Sequence, residues 1–179
     1  LVAQDVVGDA GAERLDDDVD YLIGAGSGVI GDLTKWIATK LDKNFIIVGT
    51  AASMNGHASI TAAMSYGTIK ETAYGLRIAD AVIYDTEILA ETPLEMNLSG
   101  FSDNLARNTC NADWKLSALL RGVDNFVSLP YDMMKQSQAD VLREAGKIPE
   151  RDPQALAVLG EACLISGMTM TIIGGVTSP

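Results

Sequence analysis

The sequence predicts an α/β part followed by an all-helical part, and three observations predict it. Short β-branched apolar runs alternate with a helical pattern in the first half, a glycine-rich loop joins the first run to the first helix, and beyond Pro93 apolar residues recur only at helical spacing. Strand, loop, helix and strand in that order make a βαβ unit, whose crossover is right-handed and whose strands are parallel. The expected division is a partial α/β domain over residues 1–92 and a partial helical domain over 93–179.

Each element has its own signal. Tyr21-Leu22-Ile23 is a short apolar strand leading into Gly24-Ala-Gly-Ser-Gly28, a loop that no regular element tolerates well. Ile30, Leu33, Ile37, Ala38 and Leu41 follow at helical spacing and predict an amphipathic helix of about three turns, stopped at Asn44. Phe45-Ile-Ile-Val48 is apolar on both faces, as a buried parallel strand requires, and Ala81-Val-Ile-Tyr84 is a third such run, closed by Asp85. Gly100 to Arg121 reads as a helix burying Leu105, Cys110, Trp114, Leu116 and Leu120. Asp152-Pro153 is a helix start, with Asp at the N-cap and Pro at N1, and this helix runs through Leu156, Leu159, Cys163, Leu164 and Gly167 towards Ile173. Arg121–Ile148 is helical in composition but interrupted by Pro130.

Composition excludes several functions. Apolar residues make up 47% of the 179, which is globular rather than disordered, and the net charge is −11 with no basic run. A surface this acidic repels phosphate backbones, so no nucleic-acid partner is expected. A small anionic substrate is compatible, because helix N-termini and metal ions supply positive field locally. Cys110 and Cys163 lie in apolar helical stretches and read as buried free thiols of a reduced compartment. The apolar run Ala162–Ile173 is too short and too rich in Ser and Thr for a membrane span, and no signal peptide opens the chain, so a cytoplasmic location is expected. The chain begins inside an apolar stretch, Leu1–Val7, and stops at Thr177-Ser178-Pro179 directly after a helix, which reads as a piece of a longer protein.

Gly26-Ser27-Gly28-Val29-Ile30-Gly31 fits G-x-G-x-x-G between a strand and a helix. Glycines there admit a pyrophosphate to the backbone, and the helix N-terminus meets its charge. A plain tight turn would give the same pattern. The ordinary Rossmann arrangement also expects an acid at the end of the second strand to hold the ribose, whereas this strand ends Val48-Gly49-Thr50. In its place stands Thr50-Ala51-Ala52-Ser53-Met54-Asn55-Gly56-His57-Ala58-Ser59, small and hydroxyl-rich. Such a loop either brings amides and hydroxyls to a flat ring or phosphate, or is a solvated connection rich in turn formers. Asp16-Asp17-Asp18-Val19-Asp20 lacks the glycine and terminal Glu of a calcium loop and reads as solvated. Lys35 and Lys70 are candidate phosphate cations, and nothing in the sequence selects either.

Three motifs in order carry a resemblance: Gly26-Ser-Gly-Val-Ile-Gly-Asp-Leu-Thr-Lys35; Thr50-Ala-Ala-Ser53 with Gly56 and Ala58-Ser59; and Ala81-Val-Ile-Tyr-Asp85 with Gly100-Phe-Ser-Asp103 and Ala112-Asp-Trp-Lys-Leu-Ser117. From about Tyr21 to Leu120 the chain resembles glycerol-1-phosphate dehydrogenases, AraM-type members included, within the dehydroquinate synthase-like and iron-containing alcohol dehydrogenase superfamily. The resemblance implies a dehydroquinate synthase-like fold, a Rossmann-like nucleotide domain before a helical metal and substrate domain. It implies reduction of dihydroxyacetone phosphate to sn-glycerol 1-phosphate by NADH or NADPH, assisted by zinc or nickel, in a homodimer or larger homo-oligomer. By the same resemblance Gly28, Val29, Ile30, Gly31 and Asp32 would grip the cofactor's diphosphate and ribose, while Thr50, Ala51, Ala52, Ser53 and Ser59 would touch NAD(P). Asn55 would face substrate, and Asp103 would be the catalytic metal ligand.

Two departures bear on activity. The resemblance implies Asp where this chain has Asn55, which keeps the reach but loses the charge and the capacity to take a proton. The family's two histidine ligands would lie beyond the helix that ends this chain, and His57 falls where the family commonly has an aromatic residue. A catalytic zinc needs about three protein ligands, so these residues alone are expected to be inactive. A glycerol or other alcohol dehydrogenase of the same superfamily, and a non-catalytic nucleotide-binding homologue, remain alternative readings.

Overall fold

The structure is a computed structural model and describes residues 19–66, 68–121 and 126–173. The acidic stretch through Asp18 and the segments at Leu1–Val7 and Thr177–Pro179 lie outside them. Strand β1 (Tyr21–Gly26), helix α1 (Gly28–Lys40) and strand β2 (Asn44–Gly49) form the expected βαβ unit, and β5 (Ala81–Tyr84) completes a parallel sheet in the order β1-β2-β5. Ala25 is opposite Val48 and Val48 opposite Ile83, so the three strands end level with one another. Ala38 of α1 closes over Phe45 and Ile47, all fully buried. Asn44 does not stop the helix: it opens β2, and the reversal is made by Leu41–Lys43, with Asp42 at φ 52°. The Arg77 guanidinium ties this turn by bonding the Asp42 carboxylate and Asn44 Oδ1.

Between β2 and β5 the structure adds an antiparallel hairpin, β3 (Ala62–Tyr66) with β4 (Ile69–Ala73). Its sequence carries weak strand signals, because β4 is mostly exposed and reads Ile-Lys-Glu-Thr-Ala. The hairpin is held to α1 by a small core of Ala62, Met64 and Leu76 packed on Trp36 and Ala73.

Helical structure begins before Pro93, with a short helix the pattern did not show. Helix α2 (Thr86–Glu91) is capped by Asp85, whose side chain accepts from the Glu87 amide at 2.8 Å. Helix α3 (Leu94–Arg121) starts a full turn and a half before Gly100 and buries Asn97, Gly100, Asn104 and Trp114. Leu116 and Leu120, expected inside, are 53% and 77% exposed, so in its last turns α3 has no neighbour on that face among the described residues. Helix α4 (Ser128–Glu144) contains Pro130 without interruption: the residue is third in the helix, where an amide has no intrahelical partner to lose.

Helix α5 (Pro153–Ile172) begins as expected, with Asp152 accepting from the Ala155 amide at 3.0 Å. It is central. Leu156, Leu159 and Cys163 pack with Leu89 of α2, Ile148 and Ala52, and Tyr84 and Phe101 lie against them. This one cluster takes residues from both sides of the 92/93 division. At 20 residues α5 is long and apolar enough to cross a membrane by length and composition, but more than half of it is buried inside the fold. The thiol of Cys163 is buried and that of Cys110 half-buried, both free.

Candidate functional site

The level ends of β1 and β2 bring two loops together, where ligands bind on open α/β sheets. The Thr50 amide donates to the Gly26 carbonyl at 3.0 Å, joining the glycine loop to the hydroxyl-rich loop. Ser27 is the extended N-cap of α1, and the helical bonding starts with the Gly31 amide to the Ser27 carbonyl at 3.1 Å. The amides of Gly28, Val29 and Ile30 come before that bond, in a first turn with no acidic residue. Val29 and Ile30 are 52% and 41% exposed. The result is a bare helix N-terminus at the carboxyl edge of a parallel sheet, suited to an anion. Beside it runs a groove of about 260 Å³ lined by Ser27, Thr50, Ala51, Glu91, Thr92 and Met96.

One loop glycine is required by what lies against it: a Cβ on Gly31 would stand 2.5 Å from His57 Cδ2, whereas one on Gly28 would stand 3.1 Å from Met54 Cγ, a contact the flexible thioether can relieve. His57 and Met54 belong to the second loop, so Gly31 lets it close down on the first turn of α1.

Residues 50–53 are fixed from the helical side. The Thr92 hydroxyl bonds the Thr50 carbonyl, Asn97 Oδ1 accepts from the Ala52 amide at 3.2 Å, and Asn97 Nδ2 donates to the Leu89 carbonyl at 2.8 Å. Gly100 approaches so closely that a Cβ there would overlap the Ala52 carbonyl oxygen at 1.8 Å. Thr92, Asn97 and Gly100 were not expected as site-builders. The sequence pattern opened this helix at Gly100, and so gave no signal for Thr92 or Asn97.

Several expected contact residues face inward instead of toward the groove. Asp32 is buried; its Oδ2 accepts from the Ala63 amide at 3.0 Å and its Oδ1 lies 3.4 Å from Lys35 Nζ. Lys35 is fully buried and donates to the carbonyls of Gly56 at 2.8 Å and Thr61 at 2.6 Å. Burial pushes the Asp32 carboxyl up and the Lys35 ammonium down, and their mutual attraction opposes both shifts. Ser59 is likewise enclosed, its hydroxyl donating to the Gly56 carbonyl at 2.8 Å. These three residues stitch α1, the loop and β3 together.

His57 is 1% exposed, with Nδ1 2.7 Å from the Tyr84 hydroxyl and Nε2 without a hydrogen-bond partner. Burial, with help from the Lys35 charge, lowers its pKa to about 4, so the ring is neutral. Burial also raises the Tyr84 phenol well above its ordinary value. Tyr84 is wedged between Gly49 and Gly160, whose missing side chains make its room. Asn55 is buried with Nδ2 unpartnered, and its carbonyl lies where a Cβ on Gly167 would be, 2.7 Å away.

Asp103 lies on α3, three residues beyond Gly100, where that helix meets the Ala52 carbonyl. Its side chain is 36% exposed, and Oδ1 is 3.7 Å from Arg107 Nη2. Among the described residues no three His, Cys, Asp or Glu side chains come together as a metal site. A lone carboxylate already facing a guanidinium does not fit a metal centre formed by this chain's described residues.

Comparison with known proteins agrees with this architecture. The chain is 30% identical over 157 residues to "Glycerol-1-phosphate dehydrogenase [NAD(P)+]" of Halalkalibacterium halodurans, an alignment covering 88% of this chain and 39% of that protein. Among solved structures it is similar to a probable glycerol dehydrogenase from Sinorhizobium meliloti 1021, with a TM-score of 0.75 and 24% identity over 96% of this chain and 50% of that one. It is also similar to an iron-containing alcohol dehydrogenase from Thermotoga maritima, with a TM-score of 0.76 and 16% identity over 95% and 50%. The chain therefore spans about two fifths of the length of the curated relatives it matches, and half of these two solved chains. Residues 4–93 match the family described as iron-containing alcohol dehydrogenase, and this chain belongs to that family.

Proposed function

We propose that a protein carrying this chain reduces dihydroxyacetone phosphate to sn-glycerol 1-phosphate with NADH or NADPH. The observation that carries this reading is the bare first turn of α1 at the carboxyl ends of β1 and β2, opening on the Ser27–Thr50 groove. The division into a nucleotide part up to residue 92 and a helical substrate part from 93 belongs to the same reading.

The amides of Gly28, Val29 and Ile30 would receive the cofactor's diphosphate, with Gly31 kept small so that His57 can pack beneath. Thr50, Ala51 and Ser53 would lie along the nicotinamide side, while Ala52, packed in the core and bonded to Asn97, holds them still from behind together with Thr92. Asp32 and Ser59 act one layer back, by fixing the loop. When bound, the reduced nicotinamide supplies the hydride that reaches the ketone carbon. Asn55 would face substrate, and its unpartnered Nδ2 would be a hydrogen-bond donor there, where an Asp would offer only acceptors.

Zinc, or nickel in its place, would need Asp103 together with ligands from outside these 179 residues, and the 179 residues alone are expected to show no turnover. The protein is read as a cytoplasmic homo-oligomer acting on a small phosphorylated ketone, with no nucleic-acid partner and no membrane span.

The test is to express the full-length protein, add zinc or nickel and dihydroxyacetone phosphate, and follow NAD(P)H absorbance. Turnover of this ketone in preference to unphosphorylated polyols supports the reading. Asn55 favours a second one, an alcohol dehydrogenase of the same family acting on a neutral polyol. Asn55→Asp would then shift preference from the free polyol towards the phosphorylated ketone.

A further inference from the structure

A guanidinium or ammonium is one of the groups that hold a substrate phosphate, and the two lysines that the sequence offered are not placed for it. Lys35 Nζ is enclosed and engaged by two carbonyls and Asp32, and Lys70 stands exposed on the hairpin strand β4. Arg107 is placed differently. It lies one helical turn beyond Asp103 on α3, with a side chain 16% exposed. Its Nε is buried without a partner.

Arg107 lines a cavity between α3, α4 and α5 together with Cys110, Trp114, Met134, Ser166 and Thr169. The cavity measures about 40 Å³. On a scale where one water needs roughly 10–15 Å³, that is room for about three waters, close to the size of a phosphate group. Ser166 is fully buried, and its hydroxyl also has no partner. Two orphaned buried donors beside one cavity call for an acceptor that these helices do not supply. The Asp103 carboxylate, at 3.7 Å, engages one amino group at the edge of ion-pair range, and a guanidinium has further donors in a planar fork that matches phosphate.

We infer that Arg107, assisted by Ser166, is the subsite that receives the phosphate of a phosphorylated ketone and so separates it from the free polyol. This rests on the reductase reading for the identity of the substrate, but not for the binding of the anion. The distance of one turn between Arg107 and Asp103 sets the phosphate end of the substrate against the carboxylate end of the site.

Two readouts on the full-length protein test it. Inorganic phosphate is titrated by calorimetry into the wild type, Arg107→Gln, Arg107→Lys and Ser166→Ala. KM and kcat are then compared for dihydroxyacetone phosphate and for dihydroxyacetone. The expected result is phosphate binding that weakens tenfold or more in Arg107→Gln, recovers in part in Arg107→Lys, and weakens about threefold in Ser166→Ala. In Arg107→Gln, KM for the phosphorylated ketone rises at least tenfold more than KM for dihydroxyacetone, while any change in kcat from loss of the Asp103 pair is shared by both ketones. Phosphate that does not bind the wild type, or binds a folded Arg107→Gln as tightly, overturns the inference, as does an equal loss for both ketones. A wild type that reduces neither ketone but binds phosphate through Arg107 overturns the reductase reading and leaves the subsite standing.

Discussion

Substituting Gly31 by alanine tests how the glycine loop is built. The added methyl would stand 2.5 Å from His57 Cδ2 and 2.8 Å from Nε2, both far inside contact distance. The imidazole cannot easily retreat. It is 1% exposed, Nδ1 is held by the Tyr84 hydroxyl at 2.7 Å, and Tyr84 is itself confined by Gly49 and Gly160. Overpacking of a filled site costs about 1–3 kcal/mol. If the ring moves enough to break its bond to Tyr84, about 1 kcal/mol more is lost. Gly31→Ala should therefore destabilise the full-length protein by about 2–4 kcal/mol in urea unfolding and weaken NADH binding by fluorescence titration. The double variant Gly31→Ala, His57→Ala removes the clashing ring, and should be less harmed than the sum of its parts by at least about 1 kcal/mol. A Gly31→Ala protein as stable as wild type, with unchanged NADH affinity, would refute this account of the loop.

Three further outcomes follow from the same geometry. Lys35→Met strands the Asp32 carboxylate in the interior together with the Gly56 and Thr61 carbonyls, and should cost about 3–5 kcal/mol in chemical unfolding. His57 has its folded pKa lowered to about 4 from 6.5, so between those values the unfolded chain binds the extra proton and stability falls as pH drops. That contribution, about 3 kcal/mol at most, should be present above pH 6.5 and gone by pH 4, and unfolding curves of His57→Phe should lack this part of the pH dependence. Leu159→Ala, at a fully buried position in the central cluster, should cost about 2–5 kcal/mol by thermal or urea unfolding without shifting the NADH affinity of the folded protein.

The sheet was legible because its strands are uniformly apolar, and Phe45–Val48 and Ala81–Tyr84 appear within two residues of where the runs placed them. Burial on both faces was not found among the described residues, since Phe45 and Ile47 are covered while Ile23 and Ile83 are 68% and 48% exposed. Asp152 and Pro153 marked the start of α5 for a local reason, a cap whose chemistry is written in two adjacent residues. The β3–β4 hairpin was not legible, since its outward strand is polar and its stability comes from Trp36 and Leu76 elsewhere in the chain. Leu116 and Leu120 misled because apolar spacing reports the capacity to bury a face, not the presence of a neighbour to bury it. At the site, the motifs located the loops but not the direction of each side chain. Asp32, Lys35 and Ser59 look like ligand contacts in a line of sequence, and three dimensions turn them inward to brace the loops. Arg107 carried no motif; only the cavity and its orphaned Nε single it out.

The most direct measurement is amide hydrogen exchange at Gly28–Gly31 in the full-length protein with and without NADH. Amides of a bare first helical turn exchange fast in the free protein. Binding of the cofactor's diphosphate there should slow Gly28, Val29 and Ile30 by at least tenfold, and leave the hairpin β3–β4 unaffected. Saturating NADH that binds yet leaves these three amides exchanging at the free rate would contradict the assignment of this helix end to the cofactor.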